Sequence, residues 1–587
     1  MRLQKIQLTI GLIFCLQFSF SQKFETKPYW QQLKTDSYQG KQDDIYFIDS
    51  KTGWYCNGSG KIYKTTNGGT DWELIFEKKG TFFRCIGFID SLVGFAGNIG
   101  IDYFPNVEDT VPLYKTNDGG RSWQPVVYNG PIVKGLCAIQ IYKEPIINSG
   151  KLDYKSHVFC GGRVGSPAFT MISHDNGKTF QSKDMRPFCQ YILDIHFFNL
   201  KEGIICAASN SELDQSHALI IRTKDGGNTW EKVYESQRFF ELTWKQHFPG
   251  KKVGYVTIQS YDTAATSSQR YIAKTNDGGL TWKELPLVND INVREFGVGF
   301  TDEKNGFIGA VPTGFETHDG GLSWEKSYMG SATNKIRIQK DKSGKSIAYG
   351  IGVIVSKNKS VIEDGKDVVA AMRNAYAGGR WYKNFSFSQN TLFYKEDGTI
   401  DKKEVWHEIA SFPGKLLIKF NSKDSKDGYL FSQNKVNVFK DGKMVMEKPM
   451  IHDLLLTAFD VYFLKPYETT RLLDSLGYNL KLVRQTNYNG RKVYVVGAAD
   501  GDLKSNQFWV DAERFYLHRV IYKQNNAVRD VKFESYELME SNWVAKKITF
   551  MFNGKLNMVE DYFDIKFPKE VKPSIFEVST FSDVKLD

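Results

Sequence analysis

The sequence predicts a mainly β fold in two parts, a closed ring of small sheets followed by an α+β part with longer strands. Three observations carry that expectation. An octet of the form Thr116-Asn117-Asp118-Gly119-Gly120-Arg121-Ser122-Trp123 occurs six times. Most copies follow a second short strand signature, and beyond residue 358 the repeat gives way to long alternating strands. The closing aromatics Trp72, Trp123, Phe180, Trp230, Trp282 and Trp324 lie 51, 57, 50, 52 and 42 residues apart, a step in the range of propeller blades.

In chain order, residues 1–21 read as an export leader. Arg2 and Lys5 give a positive start, Ile6 to Phe20 an apolar run, and Ser19-Phe20-Ser21 a small-x-small cleavage site before Gln22. Bulky Phe14 before Cys15 argues against lipidation. No later run of 18 apolar residues follows, so the mature chain is expected to be soluble, exported to the periplasm or outside the cell, and not membrane-spanning.

The octet has the chemistry of a hairpin turn. Asn67, Asp118, Asp175, Asp225, Asp277 and Asp319 can bond the backbone just ahead, the glycines supply positive φ, and the closing aromatic buries a ring where the next strand starts. These six are therefore expected to be turn-formers, not catalytic carboxylates. The pattern resembles the Asp-box (BNR) repeat of sialidases, sortilin-like receptors, xyloglucanases and the photosystem II assembly factor family. In that family the Asp shapes a turn on the outer side of a β-propeller.

The second signature is an apolar strand, an Asp/Asn turn and a Gly-led strand, as in Phe47-Ile48-Asp49 with Gly53-Trp54 and Phe300-Thr301-Asp302 with Gly306-Phe307. With the box hairpin it makes four strands per unit, one blade. Six boxes give six blades. Lys335 to Val355 adds three strand-like runs without a box, and Tyr29-Trp30-Gln31-Gln32-Leu33 resembles the strand after a box. Joining these two pieces gives a seven-bladed propeller over 22–358 whose ring hides its edges. Long insertions fall at 100–112, 142–156, 212–217 and 261–270.

From 359 to 587 the pattern changes. A helix is expected from near Glu363, with Val368, Val369, Met372, Ala375 and Tyr376 on one face and Gly378-Gly379 as its stop. Strands are then expected over 381–394, 403–409, 414–421, 428–432 and 435–440. A helical pair follows over 453–464 and 467–476, then strands at 480–486, 491–498, 507–511, 517–523, 531–539, 543–552 and 555–567. This order is similar to the LolA/LolB-like outer-membrane lipoprotein-sorting fold over roughly 364–587. The likeness rests on Gly378-Gly379-Arg380-Trp381, the Trp406 strand, the Tyr429–Lys443 hairpin and Phe508-Trp509-Val510-Asp511. It implies an α+β half-barrel wrapped over helices, with an interior that takes an acyl chain. Alternation puts Phe385 and Phe387 on one sheet face, and Trp406, Leu417, Phe431, Val438, Leu454, Leu455, Phe459 and Phe463 are expected to join them. The lipid-lining candidates are Phe385, Phe387, Trp406, Phe431, Leu455 and Phe459; a filled core is the alternative.

The remaining chemistry is sparse. A net charge of +10 over 587 residues, with both signs interspersed, reads as solvated faces and gives no nucleic-acid stripe. None of the nine histidines shows a ligand spacing, and no phosphate loop, dinucleotide fingerprint or nucleophile elbow is complete, so no metal, cofactor or catalytic residue is assigned. Cys137 with Cys160 and Cys189 with Cys206 permit disulfides across strands of one blade; the alternative is small buried hydrophobes. The expectation is an exported, non-enzymatic binding, assembly or carrier factor of the bacterial cell envelope, engaging a protein and a lipid or lipoprotein. The alternative is a glycan-active hydrolase with paired carboxylates in the propeller funnel.

Overall fold

The computed structural model describes residues 23–586 apart from 150, 265, 266, 342, 525 and 526, so the expected leader lies outside the described residues. The fold is mainly β. Among the described residues, seven sheets of four or five strands, antiparallel except where Tyr128–Asn129 runs parallel to Phe180–Asp184, form the first part and one thirteen-stranded sheet forms the second. The innermost strands of the seven are Asp44–Phe47, Phe83–Phe88, Ala138–Asn148, Tyr191–Phe197, Glu241–His247, Arg294–Phe300 and Lys335–Lys340. Each adjoins the next, and the last returns to the first, which closes a seven-bladed propeller.

The seventh blade joins the two ends of this region. Phe24–Gln32 pairs with Val355–Ile362, Trp30 opposite Asn358 and Gln32 opposite Ser356, and Leu33 N–H continues the ladder to Val355 O at 2.8 Å. Trp30 is buried, its ring edge-on to Phe307 of the sixth blade at 4.9 Å between centroids. One stretch read as an insertion, 142–156, is instead a continuous extension of the third blade. Ala138–Asn148 and Lys151–Gly162 pair through their full length into an exposed hairpin.

Each box forms the expected turn. At the second, buried Thr116 Oγ1 donates to Asp118 Oδ1 (2.8 Å) and accepts from Gly120 N–H (2.9 Å). Asp118 in turn accepts from the Arg121 and Ser122 amides and the Ser122 hydroxyl. Burial is the largest single influence on Asp118 and opposes its charge, but these bonds together hold the carboxyl below the usual range, as they do at Asp175 and Asp319. Asn67 makes the same turn through its amide oxygen, which accepts from Asp71 N–H at 3.0 Å. The ring after the box tucks back on it, Trp123 Nε1 donating to Gly120 O at 2.8 Å.

The boxes also clasp the preceding blade. Trp54 stacks on Phe88 of the second blade at 3.6 Å and donates to Gly119 O (3.0 Å). Tyr255 stacks on Phe300 of the sixth at 3.6 Å and donates to Gly320 O (3.0 Å). Tyr349 stacks on Phe47 and donates to Gly68 O, so the seventh blade grips the first by the same device. Lys115 and Lys183 reach the carbonyls of Gly177 and Gly227. Gly177 has φ +70, and a Cβ there would stand 2.2 Å from the Phe95 ring of the preceding blade.

In the second part, α1 (Gly365–Tyr376) is capped by Asp364, whose side chain accepts from Lys366 and Asp367 N–H. The thirteen strands run in spatial order from Lys443–Pro449 at one edge to Val483–Tyr488 at the other. The first in sequence, Asn384–Tyr394, lies between Ile400–Ser411 and the last, Lys555–Lys566. The sheet curls around α1, α2 (Asp453–Ala458) and α3 (Pro466–Ser475), whose apolar faces share one core with its inner face. Two expectations need correction, and one strand was not foreseen. The helix expected over 453–464 ends at Ala458 and becomes a single turn at Asp460–Tyr462. Lys443–Pro449, an edge strand exposed at every residue, has no apolar face for alternation to show. Leu417 faces away from the interior, under Phe576, Phe581 and Leu586, because Leu416 and Ile418 take the inward phase.

The two parts share the closing strand. Phe24 and Tyr29 belong to the second core, Phe24 edge-on to Tyr494 at 6.0 Å, while Gln31 and Lys359 hold Asp367 of α1 at 3.2 and 2.7 Å.

Three variants test this. Trp30→Ala is expected to cost about 3–5 kcal/mol as a large core truncation, read as a lower urea midpoint for the propeller transition; an unchanged midpoint would remove the strand from the ring. Thr116→Val leaves the buried Gly120 N–H without its acceptor and is expected to cost about 1–3 kcal/mol. Asp118→Asn, matching Asn67, should stay near the native midpoint in the same titration.

Candidate functional site

Two places gather polar groups: the propeller axis and the inside of the half-barrel. Along the axis, charges from different blades neutralise one another. Arg84 pairs with Asp43, Arg337 with Asp44 (2.9 Å), and Lys335 with Asp194 (2.9 Å). Asp194 also accepts from Gln246 N–H at 3.1 Å. Burial opposes the Asp194 charge, but Lys335 and Lys245 hold its carboxyl below the ordinary range. Glu295 is fully buried; burial raises it to about 8, so it stays neutral at pH 7. These carboxylates stitch blades together: Asp43 joins the first to the second, Asp44 the seventh to the first, and Asp194 the fourth to the seventh.

The half-barrel interior is different. It holds a cavity of about 250 Å³ between α2 and the inward faces of Asn384–Tyr394, Ile400–Ser411, Lys415–Phe420, Gly428–Ser432 and Lys555–Lys566. All six lining candidates, Phe385, Phe387, Trp406, Phe431, Leu455 and Phe459, are on its wall. Strand phase explains why. Phe385 and Phe387 are two apart on one strand, Trp406 and Ala410 share a face of the next, and Leu416 and Phe431 are cross-strand partners. The wall is aromatic and tightly fitted: Phe387 stacks on Tyr562 at 4.1 Å, and Phe412 on Phe459 at 5.0 Å. Val438 is not on that wall, and Leu417 lies on the other sheet face.

Sequence reasoning missed the polar groups in this cavity. Glu408 has the same strand phase as Trp406 and Ala410, and Glu560 that of Met558 and Tyr562, so an acidic residue in the inward register was the available signal. Glu408 is 6% exposed and Glu560 7%. Tyr562 hydroxyl donates to Glu560 at 3.2 Å. Burial pushes both carboxyls above the ordinary glutamic acid range, and the charge of Glu560 pushes Glu408 further. His452 is on the wall too. Its Nδ1 accepts from Leu455 N–H at 3.3 Å as the cap of α2, and burial lowers it to about 4, so it is neutral at pH 7.

The cysteine pairs are not formed. Cys56, Cys85, Cys137, Cys160, Cys189 and Cys206 are buried free thiols. Cys160 packs with Cys85 between the second and third blades, whereas Cys137 sits in the cluster with Ile99 and Val164. Cys189 and Cys206 likewise belong to separate clusters. The two members of each expected pair thus lie in different apolar clusters, that of Cys137 drawing on several blades. Among the described residues, no helix is long and apolar enough to cross a membrane.

No family model matches the chain, and no curated protein matches it. Solved structures do. YCF48 bound to D1 peptide is similar at 16% identity and a TM-score of 0.39, covering 56% of this chain and 94% of that one. The LolA superfamily protein NE2245 from Nitrosomonas europaea is similar at 12% identity and 0.27, covering 36% and 97%. A GH74 enzyme from Niastella koreensis is similar at 10% identity and 0.37, covering 89% and 91%.

The buried acid has a pH signature. Glu560 keeps its proton in the folded chain where the unfolded chain has released it, so the folded state loses stability as pH rises from about 4.5 to about 7. Glu560→Gln removes that loss. Its urea midpoint is expected to gain on the native chain across this window and to run parallel above it; a flat difference from pH 4.5 to 8 would contradict the burial of this acid.

Proposed function

We propose that the chain is an exported, non-enzymatic carrier or assembly factor of the bacterial cell envelope. In this reading 22–358 is a propeller that docks a protein partner, and 359–587 is a LolA-like unit whose cavity takes an acyl chain. One observation carries the proposal: the half-barrel is not filled. Native interiors pack densely, yet here about 250 Å³ stays open behind a wall of aromatic and aliphatic side chains. That volume is just below the roughly 300–1,000 Å³ of small-molecule sites. It therefore favours a single apolar chain over a multiply acylated anchor. Three axial carboxylates, Asp43, Asp44 and Asp194, are engaged in ion pairs between blades and a fourth, Glu295, is fully buried, which supports binding over hydrolysis. The leader read in residues 1–21 supports export.

The neutral dye N-phenyl-1-naphthylamine, which brightens in apolar sites, tests the cavity. The full chain is expected to bind it, and Leu455→Trp, which fills the space, should weaken binding about tenfold or more. Equal binding by both, or none by the native chain, would end the acyl-chain reading. Release of reducing sugar from a glycan would move the assignment to the hydrolase.

A further inference from the structure

The cavity has no cationic residue on its wall. Its titratable groups are Glu408 and Tyr429 from the strands on one side and Glu560, Tyr562 and Tyr522 from those on the other, with His452 and Asp453 from α2. Asp453 accepts from the Tyr478 hydroxyl at 2.8 Å, and His452 is used by the α2 cap. Glu560 has Tyr562. Glu408 has no hydrogen bond or ion pair to any described residue, although it is more than nine-tenths buried and lines the open space. Most buried carboxyls are met by a donor; the Glu408 side chain instead lines the open cavity.

We infer that the cavity's ligand is an amphiphile with a protonated amine, whose N–H groups Glu408 and Glu560 accept beside its apolar chain. The inference rests on the acyl-chain reading and names the chemistry of that chain's polar end. The amine supplies the donors that Glu408 lacks and the positive charge that lets two neighbouring carboxyls ionise together. Without ligand, burial pushes both toward the protonated form. When an ammonium enters, a carboxyl proton leaves to solvent and an N–H···O bond replaces it, so binding releases a proton. An anionic head would meet a site with no positive partner, and an alcohol would offer one donor and no charge. The chain's net charge of +10 works against adventitious binding of amines elsewhere.

Displacement of N-phenyl-1-naphthylamine by decylamine, decanol and decanoate at pH 7 tests this. Decylamine is expected to displace the dye at about tenfold lower concentration than the other two, the scale of a charge-assisted hydrogen bond. Glu408→Gln should abolish the preference while leaving decanol unchanged, and the decanol result shows that the variant is folded. Glu408→Leu, with no polar atom, should do the same. Calorimetry in buffers of different ionisation enthalpy should show proton release with decylamine and none with decanol. Equal potency of the three amphiphiles, or a preference that survives in both variants, overturns the amine while leaving the apolar cavity standing. Failure of the dye and every amphiphile to bind overturns the cavity and the inference together.

Discussion

The ring depends on how each box meets its neighbour. A glycine-bearing turn exposes carbonyls at its tip, and an unmet buried carbonyl is costly. Here the blade before supplies the donor: Trp54, Tyr255 and Tyr349 through ring N–H or hydroxyl, Lys115 and Lys183 through ammonium groups. The same rings stack on the next blade, so hydrogen bond and apolar burial lie at one seam. Five of the six box turns thus take a donor from the blade before. That makes an open arc of such blades unsatisfied at its end, and closure is the physical remedy. The box-less seventh blade follows from this. It needs no turn of its own, because it must present Tyr349 to the first box and receive the returning amino-terminal strand.

That strand also explains why the two parts are not independent beads. Phe24 and Tyr29 lie in the half-barrel core, while Trp30, one residue on, lies in the propeller. Successive side chains of a strand point to opposite faces, so a single strand serves two cores. Asp367, at the start of α1, receives both Gln31 and Lys359 and fixes the helix to the closing blade.

Much of this was legible in the sequence because local chemistry sets it. The boxes are short-range turns, so their residues name them, and the returning strand could be placed because a ring of blades has one vacancy. The lining of the half-barrel was legible where period-two alternation held, as at Phe385 and Phe387. It failed at Leu417, where both faces of the strand are buried. The Phe576–Leu586 tail covers the outer face, so alternation carries no contrast there. Lys443–Pro449 was hidden for the opposite reason, since neither of its faces is buried. The cysteines were misjudged because an apolar run does not tell which of several buried clusters a thiol enters.

Glu408 was the hardest to see, since an acidic residue in a strand reads as its solvent face. The contrast with the axis shows what its placement means. Asp43, Asp44 and Asp194 are as buried as Glu408, but each has a cation from another blade, and the pairs close the ring. Removing either partner would strand a charge, so those residues are explained by architecture. Glu295 is fully buried as a neutral acid. Glu408 is likewise an acid that burial pushes toward its neutral form, but its side chain lines an open cavity. It lies on a wall of the half-barrel core that faces open space, and its side chain has no partner among the described residues. A fold that tolerates the cost of an unpaired acid at such a place draws its compensation from something that enters, and an ammonium is the complement to two carboxyls in an apolar surround.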